Sequence, residues 1–235
     1  MALPKLNTAP KYELTVPSTG EKVRFRPFLV KEQKVLLIAY ESQDRRNIIQ
    51  AILDTIESCT EDLDVKKLTT FDVDYIFTNI RAKSVGEKVK VNMNCKSCST
   101  ANEVEIDLDD IQYEDNNLDM VVKITDDISI KMKYPQYDYF LKNQGFFENK
   151  SGADALVLLV ASCMDSIMTE EENFSIGDES IEEVDSFINS LSAEQFGKIQ
   201  AFIEKMPKLT KEVKFVCESC GTDNTNVLQG LDDFF

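Results

Sequence analysis

Val89-Lys-Val-Asn-Met93, Cys95-Lys-Ser-Cys98 and Glu103-Val-Glu-Ile-Asp-Leu108 follow one another in the middle of the chain. The outer two runs alternate apolar and polar residues, the mark of a half-buried strand. The spacing therefore predicts a tight cysteine turn joining two strands. The pattern returns far downstream. Lys211-Glu-Val-Lys-Phe-Val216 leads into Cys217-Glu-Ser-Cys220-Gly221, and Asn226-Val-Leu228 follows. Aligned on the cysteines, the two segments also end alike, in Leu108-Asp-Asp110 and Leu231-Asp-Asp233. They read as two knuckles of one design.

The chemistry of this pattern points to a metal. Zinc takes four thiolates in a tetrahedron, and each Cys-x-x-Cys presents two sulfurs to one side of the ion. Cys95, Cys98, Cys217 and Cys220 are the candidate ligands. The chain has no His, so no mixed Cys/His set competes. Four thiolates leave no open position for water, so the expected Zn2+ is structural. It would tie the C-terminal segment to the middle of the chain. Three other readings of the same cysteines stand beside it: two reduced turns without metal, two local disulfides, and a rubredoxin-like iron site. Cys-x-x-Cys-Gly at the second knuckle suits iron, although the Pro and aromatics usual there are missing.

Composition sets the bounds. The 235 residues, 43% of them hydrophobic, suffice for one sizeable core, or for one body with a small subdomain. No apolar run approaches the roughly 20 residues of a membrane span. The longest, Ala155-Leu-Val-Leu-Leu-Val-Ala161, reads as a buried helix. The opening Met-Ala-Leu-Pro-Lys has no charged-then-apolar pattern, so no secretory leader is expected, and six cysteines then fit a reducing compartment. Net charge is −16, which counts against a free-standing nucleic-acid binder and suits a basic protein partner.

Taken in order, residues 1–10 read as an extended arm. Residues 11–83 read as a hairpin plus helices. Lys11–Val16 and Glu21–Arg26 alternate around the turn Pro17-Ser-Thr-Gly20. A helix is expected from Val30 to Ser42, with Val35, Leu36, Ile38 and Ala39 on its apolar face. Another runs from Arg45 to Cys59, and a third starts at Thr69 or Thr70 with Phe71, Tyr75, Ile76, Ile80 and Ala82 inward. Residues 84–134 hold the first knuckle, a polar loop and a second hairpin made of Leu118–Lys123 and Ile128–Lys133. Residues 135–207 are read as helical: a short helix after Pro135, a linker-like break at Asn149–Gly152, and a buried helix from Ala153 to Met168. An acidic break and two capped helices complete this region. Residues 208–235 hold the second knuckle and a tail, Leu231-Asp-Asp-Phe-Phe235, which reads as a docking peptide if exposed and as a segment folded back on the core if pinned by zinc. The fold class is α+β: a helical body with β-hairpins and a zinc-ribbon-like element made of two CxxC knuckles, expected within one compact domain.

A resemblance covers part of this chain. Pro17-Ser-Thr-Gly-Glu-Lys-Val-Arg-Phe-Arg-Pro-Phe-Leu-Val-Lys-Glu-Gln-Lys-Val-Leu-Leu-Ile-Ala39 resembles the opening of the baseplate hub assembly proteins of T-even-like contractile-tailed phages. That family shows a Leu-Pro-Ser-Gly-type turn, then Arg-Pro-Phe, then a Lys-Glu-x-Lys-x-Leu-Leu helix. Val16 stands here where Leu would precede the Pro. Ile80-Arg-Ala-Lys-Ser-Val-Gly-Glu87, followed by the first cysteine pair, resembles the family's next signature. The resemblance spans roughly residues 11–110. It implies a viral assembly or structural protein that binds other hub subunits, with the hub ring protein and the tape-measure or hub-core protein as partners. It places the chain in the host cytoplasm during assembly, or in the virion tail baseplate.

No catalytic constellation is present. Without His the commonest general base is missing, and Gly-rich phosphate loops are absent. A redox Cys-x-x-Cys needs a helix start after its first Cys, whereas strands flank these pairs. A low-pKa thiol titrating without metal would mark such a redox enzyme. The alternative to a hub protein is a zinc-ribbon regulator of nucleic acid or polymerase. Lys88, Lys90, Lys96, Lys208, Lys211 and Lys214, gathered around the metal, would be its basic patch.

Overall fold

The computed structural model describes residues 10–108, 111–114, 118–142 and 152–231. The N-terminal arm to residue 9, most of the linker before Gly152 and the tail beyond Leu231 lie outside the described residues. The chain divides into two compact units. One comprises Met1–Val65, Phe71–Glu114 and Lys208–Phe235; the other comprises Lys66–Thr70 and Asp115–Pro207.

The first unit opens with the expected hairpin, β1 (Tyr12–Thr15) and β2 (Lys22–Phe25), in antiparallel register from Tyr12↔Phe25 to Thr15↔Lys22. Its inward side chains, Leu14, Val23 and Phe25, are buried, as alternation requires. Helices α1 (Val30–Glu41), α2 (Arg45–Cys59) and α3 (Thr70–Val85) follow. Asp44 caps α2 by accepting from the Arg46 N–H. The backbone of β2 docks on the end of α2, through Arg26 N–H to the Cys59 carbonyl and Glu61 N–H to the Arg24 carbonyl. The hairpin turn is held to α3 by Asp72, which is fully buried and accepts from the Ser18 N–H at 2.9 Å and the Ser18 hydroxyl at 2.6 Å. One expectation fails in α1. Leu36 and Ala39 are buried, but Val35 and Ile38 face outward. Val35 to Tyr40 is one unbroken apolar run, so periodicity could not select the inner face.

Gly86, at φ +132°, turns the chain out of α3 through backbone space closed to other residues. The first knuckle hairpin follows, β3 (Lys88–Asn94) and β4 (Ala101–Asp107). A short strand, β5 (Gln112–Glu114), lies where the sequence reads as loop. The second knuckle hairpin is β10 (Lys208–Val216) with β11 (Asp223–Gln229), and the start of β10 also pairs with β5. Both knuckles stand on one apolar cluster built from Ala82, Met93, Ile106, Leu108, Leu209, Val213 and Leu228.

The second unit holds an antiparallel sheet in the order β6 (Val121–Lys123), β7 (Ser129–Met132), β8 (Met164–Met168), β9 (Asn173–Ser175). Its helices are α4 (Tyr137–Lys142), α5 (Gly152–Ser162), α6 (Ile181–Ser190) and α7 (Ala193–Glu204). The helix expected to reach Met168 stops at Ser162. Met164-Asp-Ser-Ile-Met168 instead pairs with β7, burying Met164 and Ser166. A continuous apolar run does not distinguish buried helix from buried strand, and the period changes at Cys163 without a Gly or Pro to mark it. Ser180 and Ser192 cap α6 and α7 in reciprocal capping boxes with Glu183 and Gln195. The core is Ile130, Val160, Met164, Ile199 and their neighbours. Tyr134 and Tyr139 pack against it, Tyr134 with its ring 6.5 Å from that of Phe202.

Candidate metal centre

The two cysteine turns meet at the tips of the knuckle hairpins. The four Sγ atoms of Cys95, Cys98, Cys217 and Cys220 all lie within 4.8 Å of one another. Cys95 Sγ is 3.7 Å from Cys220 Sγ, and Cys98 Sγ is 3.6 Å from Cys217 Sγ. A tetrahedral ion with metal–sulfur bonds of about 2.3 Å needs sulfur–sulfur edges of about 3.8 Å. The donor set therefore fits a divalent thiolate metal. All four thiols are free rather than joined in local disulfides. In each pair the first cysteine is buried and the second exposed.

The knuckles are copies of each other at atomic detail. In the first, Cys95 N–H donates to the Thr100 carbonyl and Ser99 N–H to the Cys95 carbonyl, both at 2.9 Å. In the second, Cys217 N–H donates to the Thr222 carbonyl and Gly221 N–H to the Cys217 carbonyl, again at 2.9 Å. Cys98 and Cys220 each contact a threonine hydroxyl two residues on, Thr100 at 3.3 Å and Thr222 at 3.2 Å.

A reciprocal pair of asparagines joins the copies. Asn224 of the second knuckle accepts the Lys96 N–H of the first at 3.0 Å, and Asn102 of the first accepts the Glu218 N–H of the second at 2.9 Å. Both asparagines are buried. The Asn224 amide also reaches Cys95 Sγ at 3.5 Å. The sequence reading overlooked these residues, although a signal was present. Cys-x-x-Cys-x-Thr-x-Asn occurs twice, at Cys95–Asn102 and at Cys217–Asn224.

The electrostatics agree with a cation site. The backbone N–H of Cys98 is the main influence drawing the Cys95 thiol down to about 6, with the Ser97 amide and the Asn224 side chain helping against burial. The Thr100 hydroxyl and amide lower Cys98. Cys220 is raised: the Thr222 hydroxyl and amide pull it down, but Cys98, burial and Cys217 together outweigh them. Thiols this close cannot all ionise unless a cation sits among them. The other two cysteines differ in kind. Burial pushes Cys59 and Cys163 up to about 11, leaving them inert thiols of the core.

A family model described as T4 bacteriophage base plate protein matches residues 9–235. The chain belongs to this family. The baseplate hub assembly protein gp26 of Enterobacteria phage T4 is 23% identical to it over 226 residues, covering 96% of this chain and 98% of that protein. No solved structure matches the chain.

The motifs of this baseplate protein have structural work to do. Arg26 donates to Glu32 at 2.8 Å and to the Ser58 carbonyl at 2.9 Å. Glu32, itself buried, also accepts the Leu29 N–H at 2.9 Å and so closes the start of α1. Burial alone would raise the Glu32 carboxyl; the bonds from Arg26 and Leu29 outweigh it and hold the group low. Lys83 meets Glu87 at 2.6 Å beyond the end of α3. Three of the six lysines foreseen as a basic patch around the cysteines are paired with glutamates. Lys88 lies 2.7 Å from Glu105, Lys90 2.6 Å from Glu103 and Lys214 2.8 Å from Glu212, while the Lys96 ammonium is bound to the Thr225 carbonyl. No described helix is long and apolar enough to cross a membrane.

Proposed function

We propose that this chain is a baseplate hub assembly or structural protein that works by binding other hub subunits, without turnover, around a structural zinc site. The observation that carries the reading is family membership over residues 9–235. The four-cysteine cluster supports the metal half of it. Cys95, Cys98, Cys217 and Cys220 would hold the ion, with all four positions taken by thiolates. Bound there, zinc supplies a crosslink between two hairpins that are distant in sequence. The hub ring protein and the tape-measure or hub-core protein are the partners expected, in the host cytoplasm during assembly or in the finished baseplate. A nucleic-acid regulator draws less support, because three of the six lysines it would need, Lys88, Lys90 and Lys214, are paired with glutamates.

Quantitative mass spectrometry of purified particles, with infected-cell lysate beside them, tests this. A fixed ratio to hub subunits in particles identifies a structural component. Recovery with tail intermediates in lysate, but not in particles, identifies an assembly factor. Recovery only with polymerase or nucleic acid would overturn the proposal.

A further inference from the structure

Helix α1 meets its own unit with one side and water with the other. Glu32, Leu36 and Ala39 are its buried residues. At about 100° per residue, Val30, Lys34, Leu37, Ile38 and Glu41 share the opposite side. All five are exposed, Val30 by 65%, Ile38 by 66% and Leu37 by 54%. Read along the helix, this stripe is apolar, basic, apolar, apolar, acidic. Three large apolar side chains bared on one side of a helix mark an unfilled interface, not a scatter of single exposures.

The stripe complements itself. The midpoint between Leu37 and Ile38 is also the midpoint between Lys34 and Glu41. A second copy of α1 laid antiparallel across that midpoint brings Lys34 of each copy level with Glu41 of the other, about 5 Å to either side of a twofold axis. Leu37 and Ile38 surround the axis and pack on their own equivalents. A parallel copy instead sets Lys34 on Lys34 and Glu41 on Glu41. Within one chain these charges stand idle: among the described residues, neither the Lys34 nor the Glu41 side chain has an ion-pair or hydrogen-bond partner. Glu41 also stands in the last turn, where no basic residue accompanies it and where the helix dipole disfavours a carboxylate. An antiparallel neighbour supplies both the cation and the opposing dipole. Repulsion between two chains of net charge −16 is mild at this face, because α1 itself is neutral, with Lys31 and Lys34 against Glu32 and Glu41.

We infer that α1 is a self-association surface. Two copies of this chain pair through antiparallel α1 helices, with Leu37 and Ile38 at the axis and two Lys34–Glu41 ion pairs flanking it. One helix pair buries an area at the weak end of specific interfaces, below about 1,200 Å² in total. The dimer therefore forms reversibly and dissociates on dilution.

Sedimentation velocity of the full chain over a concentration series provides the test. A reversible monomer–dimer equilibrium is expected, with slower amide exchange in residues 30–41 at high concentration. Ile38→Lys, at an exposed site that does not endanger folding, should weaken the dimer by about tenfold and leave the circular dichroism spectrum unchanged. Lys34→Glu and Glu41→Lys should each weaken it by about tenfold, and the double variant should restore it, because the exchanged charges meet again. Val227→Lys, an exposed site on β11, should change nothing. A monomer at every concentration would overturn the inference. So would single charge reversals that leave the dimer unchanged or strengthen it, or a double variant no better than the singles. Slow exchange of α1 in the monomer, lost on deleting residues 232–235, would make the chain's own tail the occupant and also overturn it. Slow exchange that appears only on adding hub polypeptides would do the same, with another subunit as the occupant. None of these readouts requires hub binding, so a dimer in a chain that mass spectrometry places outside the hub removes the hub reading and leaves the α1 pairing standing.

Discussion

Ser99 and Gly221 occupy the same position in the two knuckles, and both adopt the left-handed backbone, at φ +58° and +69°. An L-residue there costs about 1 kcal/mol. Nothing lies within 4 Å of a Cβ built on Gly221, so Gly221→Ser should lose only that backbone cost, about 1 kcal/mol. Ser99→Gly should gain less, because glycine also frees the unfolded chain. Urea midpoints of both variants check the pair. The asparagines carry more. Asn102→Ala and Asn224→Ala each strip a partner from a backbone N–H of the opposite knuckle, a loss of about 1–3 kcal/mol. In chelator competition Asn224→Ala should release metal faster than Asn102→Ala. The Asn224 amide reaches the Cys95 sulfur, whereas that of Asn102 reaches the Met93 carbonyl. Equal release rates would mean that both act only by joining the backbones. At this scale the cysteines were legible because thiolate spacing is stereotyped. The asparagines were not, because Thr and Asn after a turn occur for many reasons, and only the doubled pattern singles them out.

At the scale of elements, the start of α1 depends on one buried ion pair. The Glu32 carboxyl is held below its ordinary value, so its contribution is complete above the unfolded value of 4.5 and is lost as pH falls through the lower folded value. Glu32→Gln should cost about 1.5–3 kcal/mol at pH 7. The gap between variant and parent should close as the solution is acidified below 4.5. A gap independent of pH would assign Glu32 a packing role instead. Elements with strong periodicity and caps, such as β1 with β2, α2, α6 and α7, were readable in advance. The failures share a cause. β5 and β9 are three residues long, too short for a pattern. The end of α5 and the outward face of α1 lie in stretches so apolar that neither period nor side is marked.

For the whole molecule, the first unit is assembled from three stretches of chain, and residues 115–207 intervene between β5 and its partner β10. The knuckles close that long loop at two levels: an apolar cluster at their base and the four cysteines at their tips. Metal removal should therefore act regionally. With chelator, amide exchange should quicken through residues 88–107 and 208–231, while α5, α6 and α7 of the second unit keep their protection. Uniform quickening across both units would show that the site governs global stability instead. The resemblance to hub assembly proteins, read from residues 11–110, extends through the family model to residue 235. That is reasonable in physical terms, since the second knuckle is needed to complete the first.

The most direct measurement is native mass spectrometry of the purified chain before and after chelation, with cysteine alkylation alongside. One zinc per chain is the predicted result. Four cysteines should resist alkylation until the chelator is added, and Cys59 and Cys163 should resist it until the chain unfolds. A metal-free mass from protein purified without chelator, with Cys98 and Cys220 alkylated at once, would contradict the account.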